Sequence, residues 1–274
     1  MASYLYTFFD KMIKTPGFIY VLLISPIFIG VFPGLYEPTP GVGLLFPSSL
    51  IVGAFFATAI FVSIAMGWGL TFNSIKNSSI RVRMISSGYT NKDILLISLI
   101  PLFAIIIFTT FYTWMIISIF MSTGVIPKDA NQMYNGTKLL GFSLSNIDWG
   151  SILVAWILNV LFGFSITFFA VSFIKSESKY TTIMWLYILL LFFFGGTTTP
   201  PNIIRGQNAE LPLQVISYLI PSSFTNFIMA DAFTTGNGIS FVWGSTDTLL
   251  NLIVPITLIS LITPLAIYNQ KKWE

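Results

Sequence analysis

Six long apolar runs divide the sequence, and none of them contains a lysine, arginine, aspartate or glutamate. A helix needs about 20 mostly apolar residues to cross the hydrocarbon core of a bilayer, and most of these runs approach or exceed that length. Charged residues make up only 8% of the chain, against about a quarter in soluble domains. The sequence therefore predicts an all-α polytopic membrane protein, with spans at about 18–32, 44–72, 94–121, 151–174, 181–195 and 249–268.

The lysines and arginines predict which side of the membrane each connecting segment occupies. If six spans alternate, ten of the 13 basic residues fall on one side, and the positive-inside rule places that side in the cytoplasm. We therefore expect a multi-pass protein of the cell membrane with both termini cytoplasmic. The ten are Lys11, Lys14, Lys76, Arg81, Arg83, Lys92, Lys175, Lys179, Lys271 and Lys272, and the external three are Lys128, Lys138 and Arg205. The acidic residues Glu37, Asp129, Asp148, Glu210, Asp231 and Asp247 are also expected outside, and no basic patch indicates a nucleic-acid site.

Residues 1–17 predict an amphipathic helix on the membrane surface rather than a cleaved signal peptide. The apolar positions recur at helical spacing and the charged positions face the opposite way, until Pro16 and Gly17 end the pattern. The apolar positions are Tyr4, Leu5, Phe8, Phe9, Met12 and Ile13, and the charged ones are Asp10, Lys11 and Lys14.

Several kinds of catalytic site are excluded by residues that the chain lacks. Without cysteine or histidine it cannot form a Ser-His or Cys-His nucleophilic site or a Cys- or His-ligated metal centre. It has no GxxxxGK[ST] phosphate-binding motif. The serines in GFSL (141–144) and GFSI (163–166) have no accompanying base, and we interpret them as small residues at helix contacts or turns. We expect a chain that is not an enzyme and binds no metal or cofactor itself.

The stretch SSIRVRMISSGYTNKDILL, residues 78–96, is charged although it lies between two of the longest apolar runs. Residues 78–87 predict a short helix that ends at Gly88, and Thr90 with Asp93 predicts a capping box at the start of the next span. We expect a rigid, helix-bearing bracket on the cytoplasmic side. The alternative is that its basic residues only anchor the chain at the membrane surface.

The segment 195–233 predicts a helical hairpin that remains within the membrane region. Glycines and prolines end the fifth span early and break the apolar stretch 211–220, because proline cannot donate the helical hydrogen bond and glycine weakens a helix. The residues responsible are Gly195, Gly196, Pro200, Pro201 and Pro221. Non-helical backbone at membrane depth must be buried in protein or wetted, so we expect this hairpin to line an outer gate. An interfacial hairpin without a gating role is the alternative.

Over nearly its whole length the chain resembles the permease subunits of ABC-2 type ATP-binding-cassette transporters. The start running into KTPGFIYVLLISPIF (14–28) is similar to their connecting helix and first span, and SIRVRMISSGYTNKDILL (79–96) to their coupling helix between spans two and three. The segment 195–233 is similar to their outer-leaflet hairpin before span six, and the six-span order matches. Ser87-Gly88 departs from the Thr-Pro often found there, and the external stretch 122–150 is longer than usual.

The resemblance implies that residues 1–274 form one transmembrane domain of an exporter for an amphiphilic or lipid-linked substrate, such as a drug, peptide, lipid or glycan. Two such permeases, identical or paralogous, would pair above two ATPase subunits, which would bind ATP and Mg²⁺. Small-residue faces at 30–34 and 53–57 would allow close helix contact. We expect the coupling helix to dock on the ATPase through an apolar face formed by Ile80, Met84 and Ile85. Arg81 and Arg83 would pair with acidic groups of the ATPase. Gly88 and Tyr89 would complete the docking surface at the end of the helix.

Two other functions stay open from the sequence. An ABC importer permease is one, because Gly88 and Ile100-Pro101 loosely resemble the cytoplasmic loop of that class, although its Glu-Ala-Ala is missing and four spans follow where importers usually have two. The other is a membrane scaffold or immunity-type protein that works without ATP. The external stretch 122–150 would be either a gating or partner-binding insert or a simple loop.

Overall fold

The computed structural model describes residues 2–23, 27, 48–123, 132–134, 137–139, 149–199, 204–205, 210–234 and 245–270, nearly all of them helical. The helices are α1 (Ala2–Ile13), α2 (16–23), α3 (Ser48–Val62), α4 (Leu70–Lys76), α5 (Ser79–Ser86), α6 (Asn91–Ser122), α7 (Trp149–Phe173), α8 (Glu177–Phe194), α9 (Leu211–Leu219), α10 (Pro221–Thr234) and α11 (Ser245–Gln270). A π-helical segment, Ser63–Gly69, joins α3 to α4. Strands β1 (Gln132–Tyr134) and β2 (Thr137–Leu139) pair as an antiparallel hairpin within the stretch 122–150.

Among the described residues, four helices are long and apolar enough to cross a membrane, and the bent pair α9–α10 raises the number to five if it counts as one span. The four are Ile51–Lys76, Asn91–Ser122, Trp149–Phe173 and Leu249–Gln270. This confirms a membrane-embedded helical architecture but not the number six. Most of the first predicted span lies outside the described residues. The fifth corresponds to α8, whose first turn is charged, so its apolar part falls short of about 20 residues.

Helix α3 forms the centre of the bundle, and α10 packs along it. The most apolar stretch of Ile51–Lys76 is wholly buried, whereas only 17% of the corresponding stretch of Leu249–Gln270 is. Gly53 makes the close approach possible, because a Cβ there would lie 2.7 Å from the Cα of Ala230. The small-residue face 53–57 is therefore used inside the chain. The predicted close helix contact at 53–57 is therefore confirmed, with α10 of the same chain as the partner, whereas the face 30–34 lies outside the described residues.

The π-helical segment is supported from outside by two neighbouring elements. The Tyr180 hydroxyl of α8 donates to the Ala65 carbonyl at 2.7 Å, which satisfies a backbone group displaced from the α-helical pattern. Gly69 leaves the space that the Tyr180 hydroxyl occupies. Gly17, at the start of α2, packs on the Gly67 backbone, where a Cβ would lie 2.5 Å from the Gly67 nitrogen. The segment is thus fixed by residues distant in sequence.

The segments predicted to be cytoplasmic meet at one end of the molecule. Asn77 Nδ2 donates to the Lys175 carbonyl at 2.5 Å, joining the end of α4 to the α7–α8 turn. Gln270 Nε2 of α11 donates to the Asn91 carbonyl at 3.3 Å. Lys11 Nζ of α1 donates to Ser74 Oγ of α4 at 3.3 Å. We call this the bracket end of the molecule.

The apolar face of α1 packs partly on protein. Phe8 and Met12 are buried, and α1 contacts α4 and α6. Tyr6 and Ile13 remain exposed, at 73% and 51%. Helix α1 is therefore docked on the bundle, with only part of its apolar surface left for lipid.

Candidate functional site

The bracket, residues 78–93, contains the short helix that the sequence predicts. Ser78 Oγ caps the start of α5 by accepting a hydrogen bond from the Ile80 amide at 3.2 Å. At its end the Gly88 amide donates to the Ile85 carbonyl at 2.9 Å and the Tyr89 amide to the Met84 carbonyl at 3.0 Å. Gly88 has a φ of +88°, which completes a Schellman motif.

The capping box at the start of α6 is also confirmed. The Thr90 amide donates to Asp93 Oδ2 at 2.7 Å, and the Asp93 amide donates to Thr90 Oγ1 at 3.3 Å. Arg81 extends from α5 to the first turn of α6, where its Nε and Nη2 donate to Asn91 Oδ1 at 3.2 and 3.1 Å. The bracket is therefore attached to α6 by side chains as well as by the backbone.

The outward face of α5 differs from the one expected. Met84 is fully buried in the core of the chain, so it cannot contact another subunit without a rearrangement. Ile80 is half-buried against that core, whereas Ile85 is 44% exposed. Val82, which sequence reasoning missed, is 67% exposed. The apolar surface open to a partner consists of Val82 and Ile85, and docking there stays a prediction.

The two arginines of α5 have different surroundings. Arg81 is half-buried and bonded to Asn91 within the chain. Arg83 is exposed, and its guanidinium makes no hydrogen bond to any other residue that the structure describes. Tyr89 packs edge-on against Tyr4 of α1, with ring centroids 5.8 Å apart. Of the two cations, Arg83 is the one open to an acidic partner.

The predicted hairpin is sharply bent, as its prolines and glycines indicate. Helices α9 and α10 meet at 105°, and Pro221 is the first residue of α10. Gly195 caps α8, where a Cβ would collide with the Leu191 carbonyl, and Gly196 has a φ of +83°. Pro200 and Pro201 lie outside the described residues.

Helix α9 has its polar side inward, and α10 is buried on all sides. Leu211 and Leu219 of α9 are 72% and 74% exposed, whereas Ser217 is fully buried. Every residue from 222 to 233 is buried. Helix α9 is thus suited to contact lipid, while α10 belongs to the protein interior.

Polar side chains bind α10 to three surrounding helices. Asn226 Nδ2 donates to Thr58 Oγ1 of α3 at 2.8 Å and to the Gly195 carbonyl at 3.0 Å. Thr225 Oγ1 donates to Asn159 Oδ1 of α7 at 2.9 Å. Tyr187 of α8 accepts from the Ser222 amide at 3.1 Å. These residues were not predicted, because single polar residues in apolar runs carry no spacing signal.

Arg205, predicted on the external side within the hairpin segment, is not a surface residue. Its side chain is buried, at 5% exposure, and donates to Ser217 Oγ at 2.8 Å, to Ser223 Oγ at 2.6 Å and to Asn251 Oδ1 at 2.9 Å. The guanidinium carbon lies 4.2 Å from the ring centroid of Tyr218 and 4.4 Å from those of Phe224 and Phe227. Asp231, also expected outside, is 1% exposed within α10. The only sequence hint was the apolar pair Ile203-Ile204 before Arg205.

An aromatic groove opens between α6 and α7, with a volume of about 370 Å³. Trp114, Trp149 and Trp156 line it, and the Trp156 indole donates to Thr110 Oγ1 at 2.9 Å. Trp114 also stacks on Phe233 at the end of α10, with centroids 5.3 Å apart. The groove presents mainly aromatic surface, with the Thr110 hydroxyl at its wall.

Comparisons of this chain with known protein families, with curated proteins and with solved structures gave no match.

Proposed function

We propose that the chain is the permease subunit of an ATP-binding-cassette transporter that exports an amphiphilic or lipid-linked substrate. In this proposal it has six spans and cytoplasmic termini, and α5 is the coupling helix that docks on a separate ATPase subunit. The observation that supports it best is the bracket: a short helix capped at both ends, held from behind by buried Met84, and presenting Val82, Arg83 and Ile85 outward.

The packing suggests how a displacement of α5 would be transmitted to other helices. Two residues separate α4 from α5, and Arg81 joins α5 to α6, so a force on the bracket would act on both flanking helices. Helix α4 continues through the π-helical segment into α3, which packs along α10. In this proposal the hairpin is the re-entrant outer gate, and ATP binding tilts α3 against α10.

The path for the substrate is proposed to lie between two permease chains rather than through one. The centre of the described bundle is filled by buried aromatic side chains, among them Phe55, Phe61 and Phe162. Apolar residues along α6 face outward at helical spacing, which suits contact with lipid or a second permease. They are Leu96, Ile100, Phe103, Ile107, Phe111, Met115 and Ile119.

Purification of the full chain from its native membranes tests the proposal. We expect an ATPase subunit to co-purify and to hydrolyse ATP, and the variant Arg83→Glu/Ile85→Glu to lose most of the bound ATPase. Lys179→Glu is the matched control, since Lys179 is an exposed residue at the same end, outside α5. In vesicles, ATP-driven movement of a fluorescent phospholipid would distinguish export from import by its direction. A chain that purifies alone and acts without nucleotide would be a scaffold or immunity-type protein.

A further inference from the structure

Two adjoining grooves lie where the α1–α2 joint meets α4 and α8. The first, called the polar groove because it is the more polar of the two, has a volume of about 250 Å³ and is lined in part by Lys11, Lys14, Ser74 and Glu177. The second is apolar, has a volume of about 310 Å³, and is lined by Lys14, Pro16, Ile19, Tyr20, Leu23 and Trp185. The two grooves share Lys14 and Pro16. Together they form one site with a charged part and an apolar part.

The polar groove offers both signs of charge. Lys11 Nζ is held by Ser74 Oγ at 3.3 Å, and Lys14 Nζ lies 2.7 Å from the Asp10 carboxylate. The hydrogen bond and charge of Asp10 raise the pKa of Lys14. Glu177, exposed in the first turn of α8, adds a carboxylate at the groove wall. The Glu177 carboxylate would therefore repel a ligand that carries only negative charge.

The apolar groove is long enough to follow about two thirds of an acyl chain's path through one membrane leaflet. From Pro16 to Leu23 the helix α2 rises about 10 Å, and one leaflet contributes about 15 Å of hydrocarbon. Ile19 and Leu23 are 49% and 64% exposed, so the wall of this groove is open to an acyl chain. The Trp185 ring packs near Tyr20, with centroids 6.4 Å apart, and closes the inner side.

We propose that the two grooves form a binding site for a phospholipid with an ethanolamine headgroup. Lys11 and Lys14 bind the phosphate, Glu177 binds the primary ammonium group, and an acyl chain lies along Ile19, Leu23 and Trp185. The ammonium of ethanolamine can donate hydrogen bonds to a carboxylate, which the quaternary ammonium of choline cannot. This site does not depend on the proposed transport function, because a membrane protein of any role can hold such a lipid.

Lipid retention by the full chain tests the site. The purified chain is exchanged into detergent and given phosphatidylethanolamine, phosphatidylglycerol or phosphatidylcholine with the same acyl chains, and bound lipid is counted by native mass spectrometry. We expect phosphatidylethanolamine to bind about tenfold more tightly than the other two, as one charged hydrogen bond predicts. Glycerophosphoethanolamine, which lacks acyl chains, should not compete.

Variants separate the roles of the residues. Lys11→Ala should weaken retention of both phosphatidylethanolamine and phosphatidylglycerol, and Glu177→Gln should remove the preference between them. Lys179→Ala, two residues along α8 and outside both grooves, is the control and should leave retention unchanged. Equal retention of all three lipids by the unaltered chain would overturn the proposal. So would a preference for phosphatidylglycerol, or an equal effect of Lys11→Ala and Lys179→Ala.

Discussion

The bracket and α10 each contain a short helix next to a sharp bend in the chain, but different interactions stabilise the two regions. Ser78, Thr90 and Asp93 cap the bracket through hydrogen bonds to residues no more than three positions away. Asn226 of α10 bonds Thr58, 168 positions away, and every residue from 222 to 233 is buried. The ends of the helices in the bracket are specified by local sequence, whereas α10 is specified by its neighbours in the fold. Substitutions in the two regions should therefore have different consequences.

The largest effect is expected for Arg205→Met. The change removes buried charged donors to Ser217, Ser223 and Asn251, so the free energy of unfolding should fall by about 4 kcal/mol. Denaturant titration in mixed micelles, followed by tryptophan fluorescence, measures this. A loss below about 1 kcal/mol would contradict the view that this cluster holds α9, α10 and α11 together.

Gly53→Ala should have the next largest effect. Its Cβ would approach the Ala230 backbone, forcing α3 and α10 apart, and we expect a loss of about 3 kcal/mol in the same titration. Gly88→Ala is the matched change in the bracket. A Cβ at Gly88 would have no atom within 4 Å, so only the positive φ disfavours alanine there. We expect the free energy of unfolding to fall by about 1 kcal/mol. If the two variants lost the same free energy of unfolding, α10 would not be held more tightly by its neighbours than the bracket is.

Thr90→Val should act locally. It removes the hydroxyl of the capping box, which costs about 1 kcal/mol, and amide hydrogen exchange should accelerate within 79–93 but not within α10. Thr123→Val at the other end of α6 is the control, because that hydroxyl only bonds carbonyls of its own last turn. Faster exchange in α10 as well would mean that the bracket and the hairpin unfold together.

The smallest effect on stability is expected for Arg83→Ala. Its side chain is exposed and makes no hydrogen bond to another described residue, so the free energy of unfolding should change by less than about 0.5 kcal/mol. If Arg83 binds an acidic partner, the same variant should retain less ATPase subunit on purification. A large loss of stability would show that Arg83 supports the fold instead.

The bracket could be predicted because its signals are short-range. Helix α5, its end at Gly88 and the Thr90–Asp93 capping box follow from neighbouring residues, and all three are confirmed. The bend at Pro221 was predicted for the same reason. Met84 was misplaced because α5 is too short for its pattern to show which side faces the bundle.

The buried polar contacts could not be predicted in this way. The external side of Arg205 and Asp231 was inferred from the alternation of the spans, and alternation does not indicate whether a side chain is buried or which helices supply its partners. The close contact at Gly53 could be predicted from its small side chain, but the identity of the helix that contacts it could not.

The sequence by itself determined that this chain is a membrane-embedded helical protein, where its longest helices lie, and how the bracket begins and ends, because hydrophobic length and capping act over a few residues. Only the tertiary structure decided that α3 is central, that α10 is an interior helix, and that Arg205 lies in an aromatic cage. Those outcomes depend on which surfaces meet, and in a chain with so many apolar helices the hydrophobic pattern alone does not distinguish one pairing from another.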